Sequence, residues 1–457
     1  MITVKRELRN LTKAIGIVLV SSAVGLGLLL LVFMIPTEKM HKNFARSASL
    51  IASEGTYPTF LGDVFVRMHP DNITDIKTLL LNNRITTRDN YTDALMLLNA
   101  FYTAEDKSLL ERTLMVYRPC GDIAQDPILD IVNVGIKNVD TSNYIICEYA
   151  RYWHGYLVFL KPLLCILSCV ELRIINVFVL SGLLAAIMME LAGQFGKKAT
   201  WGFAFSMLFF MPFTVPFCMQ FCTSTYVMLG GMLILLKHKK YWIENERIVF
   251  LFLVLGIITS YVDYLTYPIV TFGMPMLVYL CLKPDCKLSA YIRSGVYWCI
   301  GYVGMWAMKW VYSSMFLQED FIGQAISQIL FRASNKTEDG LGRISVVSVI
   351  ASNLCNYVNV VYIVLTLLAA LFVIFGFRRM NFIERVRTKY LYIITSLLPF
   401  VWYIAFSNHS YGHSSFTFRA LLVSAWGVML FSGYDAGIQK NSENQGSITI
   451  EKRLSNG

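Results

Sequence analysis

Charged residues are scarce in this sequence. Lys, Arg, Asp and Glu make up 15% of the 457 residues, whereas hydrophobic residues make up 56%. So few charges cannot cover the surface of a water-soluble globule of this length. Several apolar runs of about 18 residues or more indicate instead a protein that crosses a membrane many times.

Acidic residues are scarcer than basic ones. The chain has 30 acidic and 40 basic residues, which gives a net charge of +10. In a soluble protein this excess would suggest a nucleic-acid partner. Here the basic residues lie in short loops between apolar runs, as the positive-inside rule predicts for cytoplasmic loops. We therefore exclude nucleic acid as a partner and expect the chain to lie in a lipid bilayer.

Cysteines are few outside the apolar runs. Most of the ten lie inside those runs, where Cys behaves as a small hydrophobic residue. The large polar segment after the first run contains only Cys120 and Cys147. The sequence leaves open whether these two form a disulfide or stay as thiols.

An evident small-residue cleavage site is missing after the first apolar run, residues 14–36. This run is also too long for the core of a signal peptide. Basic residues precede it, so we expect a retained first helix with the N-terminus in the cytoplasm.

The hydrophobic pattern predicts an all-α polytopic membrane protein with about ten transmembrane helices. Residues 1–36 form the cytoplasmic N-terminus and the first of these. Residues 37–169 contain no spanning run, so we expect a large extracytoplasmic loop with amphipathic, interfacial helices. Residues 170–437 hold helices two to ten. Residues 438–457 form a polar cytoplasmic tail that we expect to be disordered.

Two acids of the large loop share one face of a predicted helix. Asp89 and Asp93 are four residues apart, opposite an apolar stripe that includes Ala94 and Leu98. Two adjacent carboxylates raise one of their pKa values, which suits a general base near neutral pH. The alternative is structural, with Asp89 as the helix cap and Asp93 in the first turn.

The loop ends in an aromatic segment that carries three cationic or titratable side chains. Arg151, His154 and Lys161 have helical spacing, so a helix here would have one polar edge on an apolar body. Such a composition predicts an interfacial helix and not a transmembrane one.

Two ionisable residues lie at or within later apolar runs. Asp263 falls at the outer boundary between two runs and is either a functional acid or a helix-end acid. Lys309 lies inside a run, where a lysine costs about 2.5 to 3.5 kcal/mol unless it extends outward or pairs. We predict that Lys309 extends outward to an anion or an acid.

The segment NHSYGHSSFTFR, residues 408–419, separates two long apolar runs and contains two of the six histidines. On a helix, His409, His413 and Phe416 would share one face, beside Asn408 and Arg419. We interpret this segment as the floor of an active site, although a polar turn between membrane helices would have a similar composition. No acid flanks the histidines in sequence, so we assign no metal and no other cofactor, and a divalent cation remains an open alternative.

All these candidates are predicted to lie on the extracytoplasmic side of the bilayer. A cluster of cations and bases there suits a lipid-linked phosphate substrate whose tail stays in the membrane. The cations would neutralise the leaving phosphate, and a carboxylate or imidazole would deprotonate an attacking hydroxyl.

The order of a first span, a large outer loop with acids, an aromatic interfacial helix and a helix-opening Arg173 resembles the glycosyltransferase-C superfamily. This superfamily includes the protein O-mannosyltransferases and the aminoarabinose transferases of lipid A. Four phrases look like a bacterial branch found among surface-glycan genes: DNYTD (89–93), RYWHGY (151–156), DYLTYP (263–268) and residues 408–419. The chain lacks the adjacent Asp-Glu pair of the O-mannosyltransferases, which leaves the choice between the two loop acids open.

The resemblance implies a glycosyltransferase of the bacterial cytoplasmic membrane. It would transfer a sugar from a polyprenyl-phosphate-linked donor to an extracytoplasmic glycan or lipid acceptor. The catalytic group would be Asp89, Asp93, His409 and His413. The group that holds the donor phosphate or sugar would be Arg151, His154, Asp263, Lys309, Asn408 and Arg419. The alternatives are a polysaccharide polymerase or ligase that acts on lipid-linked glycans, and a transporter or flippase of lipid-linked sugars.

Overall fold

The computed structural model describes residues 2–60, 84–121, 126–140, 143–337, 340–377 and 382–433. Within these ranges the chain is almost entirely helical, and its one sheet consists of two strands of three residues each. The predicted all-α fold class is thereby confirmed. The predicted tail, residues 438–457, lies outside the described residues.

Most of the polar loop that the structure describes, from residue 38 to residue 147, packs as a helical layer on the membrane helices. Its elements, with the first long helix, are α1 (Ile2–Phe33), α2 (Glu38–Glu54), α3 (Asn90–Phe101), α4 (Leu109–Met115), β1 (Arg118–Cys120), α5 (Pro127–Gly135) and β2 (Ile145–Cys147). Strands β1 and β2 are antiparallel, with Cys120 opposite Ile145, and no disulfide joins Cys120 to Cys147.

The second part contains mostly apolar helices. These are α6 (Leu157–Leu164), α7 (Cys169–Phe210), α8 (Met219–Lys237), α9 (Ile248–Val262), α10 (Val270–Leu282), α11 (Leu288–Leu317), α12 (Phe321–Arg332), α13 (Val346–Leu354), α14 (Val360–Phe377), α15 (Phe382–Ala405), α16 (Ser407–Gly412), α17 (Ser414–Thr417) and α18 (Leu421–Gly433). Gly196 interrupts α7, because its φ of 76° and ψ of 178° are not helical, so α7 is two helices joined at that residue.

Four helical segments among the described residues are long and apolar enough to cross a membrane: 5–33, 169–210, 219–237 and 414–433. A pair of helices within 346–375, bent by 100°, adds a fifth if it counts as one span, and α9 and α10 are shorter apolar helices. The chain is therefore a membrane-embedded helical protein. The count of ten spans stays a prediction.

Helices α9 and α11 cross at a pair of glycines. A Cβ added to Gly256 would lie 2.2 Å from the Trp298 carbonyl oxygen, and one added to Gly301 would lie 2.1 Å from the Leu253 carbonyl oxygen. Only a residue without a side chain lets the two backbones approach this closely, which is the usual role of glycine between membrane helices.

Two buried lysines attach the loop layer to the membrane helices. Lys161 on α6 donates to the Ala100 carbonyl at the end of α3, and Lys309 on α11 donates to the Leu114 carbonyl at the end of α4, each at 2.6 Å. The last carbonyls of a helix lack partners within it and carry its negative dipole end, so they are good acceptors for an ammonium group. The prediction that Lys309 extends outward to an anion or an acid is therefore wrong.

The prediction of a helix that carries Arg151, His154 and Lys161 along one edge is also wrong. Helix α6 begins only at Leu157, and His154 has a φ of 54°, in the left-handed region. The backbone turns at His154, so the three side chains do not share a helical edge.

Candidate functional site

The N-terminal end of α8 is the point where several predicted site residues meet. Asp93, on α3, accepts hydrogen bonds from the backbone amides of Met219 at 3.1 Å and Gln220 at 3.3 Å. The first amides of a helix have no partner within it, so the Asp93 carboxylate caps α8 from another element. Asp93 is only 1% exposed.

The surroundings of Asp93 hold its carboxyl close to half ionisation at neutral pH. Burial raises the pKa of Asp93 to about 7, against the opposing effects of the Arg173 charge and the two amide donors, while the nearby Asp89 charge adds to the rise. Asp93 is thus the loop acid that fits the expected general base.

Asp89 has a structural role that the sequence left open. It is the N-cap of α3, where its carboxylate accepts from the Thr92 amide at 3.0 Å and the Thr92 hydroxyl at 2.8 Å. Burial raises the pKa of Asp89, and the Thr92 donors and the Arg419 charge act against that rise. The capping interpretation is confirmed for Asp89, while the Asp93 carboxylate caps a different helix.

Asp263 contacts the second turn of α8 through Thr223. It ends α9 and accepts from the Thr266 amide at 2.9 Å, from the Thr266 hydroxyl, and from the Thr223 hydroxyl of α8 at 3.1 Å. Burial raises the pKa of Asp263, against these hydrogen bonds. Asp93 and Asp263 therefore contact the first two turns of α8.

A groove of about 520 Å³ runs beside α8, between α3, α6, α7 and α9. Its lining follows α8 from Met219 to Ile234, which is about 22 Å of helix at 1.5 Å per residue. Its polar side chains on α8, Thr223 and Tyr226, lie towards the Met219 end beside Asn176, and Tyr156 also lines the groove. Met219 and Thr223 connect the groove to the site, because they bind Asp93 and Asp263 directly.

An ion-pair cluster beside Asp93 was not predicted from the sequence. Glu54, the last residue of α2, pairs with Arg88 at 2.8 Å and with Arg173 at 2.9 Å, and Asn90 donates to it at 3.0 Å. Burial acts to raise the pKa of Glu54, but Arg173, Asn90 and Arg88 together lower it below its usual value. The cluster joins α2, α3 and α7, and its members are too far apart in sequence to form a recognisable motif.

His154 is a neutral, fully bonded histidine. Its Nε2–H donates to the Tyr149 carbonyl at 2.9 Å, so Nδ1 is left to accept from the Tyr264 hydroxyl at 2.8 Å. Burial lowers the pKa of His154 to about 3. Because both nitrogens are used, the ring has no N–H left for a phosphate in this arrangement, and its role in orienting the donor phosphate or sugar stays a prediction.

His409 and His413 meet as the sequence predicted, although His409 lies on α16 and His413 in the turn between α16 and α17. Their ring centroids are 4.7 Å apart, and that of His413 is 5.2 Å from Phe416. His409 Nε2 contacts the Leu265 carbonyl oxygen at 2.7 Å, and burial holds the pKa of His409 well below its ordinary value. Among the described residues, no group of three or more His, Cys, Asp or Glu side chains is placed to hold a metal ion.

Arg419 lies inside the protein and does not line the groove. Its guanidinium donates to the Thr214 hydroxyl at 2.7 Å and stacks over Phe221 at 3.9 Å and Phe418 at 4.6 Å. Phe221 follows the α8 amides that Asp93 caps, and its ring is 6.3 Å from Phe416 of the histidine segment. Arg419 thus positions aromatic side chains between Asp93 and the histidines, and a donor phosphate in the groove would not contact it.

Arg151 and Asn408 lie on the far side of Tyr264 from the groove. Arg151 lines a small cleft together with Arg332, a residue that sequence reasoning did not place in the site. Asn408 accepts from Arg332 at 3.0 Å and donates to the Lys336 carbonyl at 2.9 Å, so it fixes the position of the Arg332 side chain.

The structure thus gathers Asp89, Asp93, Asp263 and Arg419 around the start of α8, with the two histidines beside them. Long apolar helices, and a mostly apolar groove whose residues Met219 and Thr223 bind buried carboxylates, define a helical membrane protein with an internal polar site. Comparisons with protein-family models, with curated proteins and with solved structures found no significant match to this chain.

Proposed function

We propose that this chain is a membrane glycosyltransferase that transfers a sugar from a polyprenyl-phosphate-linked donor to an extracytoplasmic glycan or lipid acceptor. The observation that carries the proposal is the groove beside α8, because Met219 and Thr223 at its polar end bind the buried carboxylates of Asp93 and Asp263, while the lining towards Ile234 is apolar. This is the arrangement that a substrate with a long hydrocarbon tail and a polar head requires.

The groove suits a chain of isoprene units. Its volume of about 520 Å³ lies within the range of small-molecule sites. Below Tyr226 its lining on α8 is Val227, Gly230, Gly231 and Ile234. Gly230 leaves room for a hydrocarbon chain against the helix backbone, because nothing lies within 4 Å of its Cβ position, whereas Gly231 packs against Leu255.

Asp93 supplies the base. Its carboxylate does not line the groove itself, but Met219 both lines the groove and donates its backbone amide to Asp93. The fixed amides hold the carboxylate in place, and a pKa of about 7 lets it take a proton from an acceptor hydroxyl near neutral pH. The hydroxyl oxygen then attacks the sugar carbon, and the polyprenyl phosphate leaves with the electrons of the bond that breaks.

The groove supports an enzyme more than a flippase. A flippase must carry the polar head of its substrate through the full depth of the membrane, which requires polar partners along the path. Here the groove residues at the Ile234 end are apolar, so the lining would retain a tail and would not accompany a head group.

The experiment uses membranes that contain the full chain and a set of radiolabelled polyprenyl phosphate sugars. We expect wild-type membranes to consume one of them, and Asp93→Asn to lower the rate by at least 100-fold while the protein is inserted at normal levels. Asp89→Asn is the matched control, because asparagine also caps helices well, and it should keep most of the activity. Undiminished transfer by Asp93→Asn would remove Asp93 as the base, and no consumption of any donor by the wild type would refute the proposed function.

A further inference from the structure

The cleft that Arg151 lines is separate from the groove. It lies between α11 and α12, with Arg151, Tyr152, Trp306, Trp310 and Arg332 in its lining. Its volume of about 30 Å³ has room for about two water molecules, which is enough for the oxygens of one carboxylate or phosphate group but not for a sugar ring.

The cleft is rich in hydrogen-bond donors. Trp306 is 8% exposed, and its Nε1–H has no hydrogen-bond partner among the described residues. Arg151 Nε also lacks a partner there, and its guanidinium is held over the Tyr149 ring at 5.4 Å. A second guanidinium, that of Arg332, is fixed by Asn408 at 3.0 Å.

The side-chain acceptors in the cleft lining carry no charge and belong to Gln328 and Tyr152. No Asp or Glu side chain is part of the cleft lining. The carboxylate whose charge interacts with Arg151 is that of Glu148, outside the cleft. Buried donors without acceptors are costly unless a ligand satisfies them, and an arginine beside an indole N–H matches the two oxygens of an acidic group.

One layer of tyrosines divides the cleft from the groove. Tyr152 lines the cleft, and its ring lies 5.9 Å from that of Tyr264. Tyr264 in turn lies 5.1 Å from Tyr156, which lines the groove. A phosphate attached directly to a chain in the groove would have to cross this layer to reach Arg151, so the cleft serves a different molecule from the one in the groove.

We propose that the cleft binds the acidic group, a carboxylate or a phosphate, of the acceptor sugar. The assignment to the acceptor rests on the proposed function, in which the groove holds the donor lipid. The sugar ring would lie at the mouth of the cleft, and Arg151 and Trp306 would bind the acidic group behind it.

The test measures binding to the purified full-length protein in lipid nanodiscs, with isothermal titration calorimetry as the readout. The probes are glucuronic acid, glucose 6-phosphate and neutral glucose. We expect an acidic sugar to bind and glucose not to bind, with inorganic phosphate as a competitor. The tighter of the two acidic probes identifies the group as a carboxylate or a phosphate.

Two variants remove donors from the cleft. We expect Arg151→Gln to weaken binding of the acidic sugar by about tenfold or more, and Trp306→Phe to weaken it by a smaller factor. Arg247→Gln is the matched control, because Arg247 also stacks on a tyrosine, Tyr241 at 4.5 Å, and is exposed. It should bind like the wild type.

Equal binding of glucose and the acidic sugars would overturn the proposal, as would unchanged binding by a folded Arg151→Gln protein. Donor consumption with water as the acceptor is measured on the same samples. If the donor is consumed but no acidic sugar binds, the cleft proposal fails and the proposed function stands. If an acidic sugar binds but no polyprenyl donor is consumed, the proposed function fails and the assignment to an acceptor fails with it.

Discussion

At the scale of single residues, Asp93 combines a role in the fold with the properties that the proposed base requires. Its two amide donors and the charge of Arg173 favour the ionised form, whereas burial favours the neutral one. Burial prevails, so the pKa rises to about 7. The same contacts that make Asp93 a cap for α8 fix the position of a proton acceptor.

The pH dependence of transfer tests this role. Only ionised Asp93 accepts a proton, so we expect the rate of sugar transfer to rise with pH through about 7 and then to level off. Rates between pH 5.5 and 8.5, with a saturating donor, measure it. A rate that does not change across this range would contradict the assignment.

The stability of the protein should change in the opposite direction. The folded pKa of Asp93 lies above the value of about 3.9 for an unfolded chain, so the unfolded state releases its proton first as the pH rises. Wild-type protein should therefore lose stability relative to Asp93→Asn between about pH 4 and pH 7, which thermal unfolding in detergent can follow.

Other residues expected in the site hold the fold together instead. Lys309 and His154 both bind main-chain carbonyls, and Arg419 binds a threonine hydroxyl and two aromatic rings. The Lys309 acceptor is 195 residues away in sequence. A sequence pattern shows that such a side chain needs a partner, but it cannot show that the partner is a helix-end carbonyl brought close by the fold.

At the scale of elements, the start of α8 organises the site. Helix α3 begins at Asn90, one residue after the predicted cap, because Asp89 satisfies the first-turn amides. That start followed from the predicted capping role of Asp89, which lies close enough to Asp93 for its charge to raise the pKa of Asp93. The sequence did not predict the partner of Asp93, because the unpaired backbone amides of Met219 and Gln220 have no sequence signature.

The crossing of α9 and α11 gives a test at this scale. Gly301→Ala would place a Cβ 2.1 Å from the Leu253 carbonyl oxygen, so the two helices must move apart. We expect a loss of about 1 to 3 kcal/mol of stability, measured by thermal unfolding in detergent. Gly27→Ala in α1 is the control, because nothing lies within 4 Å of its Cβ position, and it should not lower the stability. Equal unfolding temperatures for both variants and the wild type would refute the close crossing.

At the scale of the whole molecule, the two cavities lie on opposite sides of one tyrosine layer. The groove meets Asp93 and Asp263 through α8, and the cleft meets Arg151 and Trp306. In the proposed transferase, this division would keep the two substrates apart until the reaction.

Composition and apolar runs were enough to predict a helical membrane protein with a large polar loop. They were not enough to predict the groove, because it forms where helices from five separate parts of the chain leave space between them. Hydropathy describes each helix alone, while a cavity depends on how their side chains fit together. The sides of the membrane and the span count depend on that hydropathy reading and stay predictions.

Photo-crosslinking with a polyprenyl phosphate that carries a photoreactive group on its chain tests most directly whether the groove beside α8 holds the donor lipid. Mass spectrometry should place the label on groove residues such as Val227, Ile234 and Leu255. Gly230→Phe, whose Cβ position has nothing within 4 Å, should fill the groove and abolish both labelling and donor consumption, whereas Gly182→Phe on α7, also in open space, should change neither. Labelling outside the groove, or full donor consumption by Gly230→Phe, would show that the groove does not hold the donor lipid.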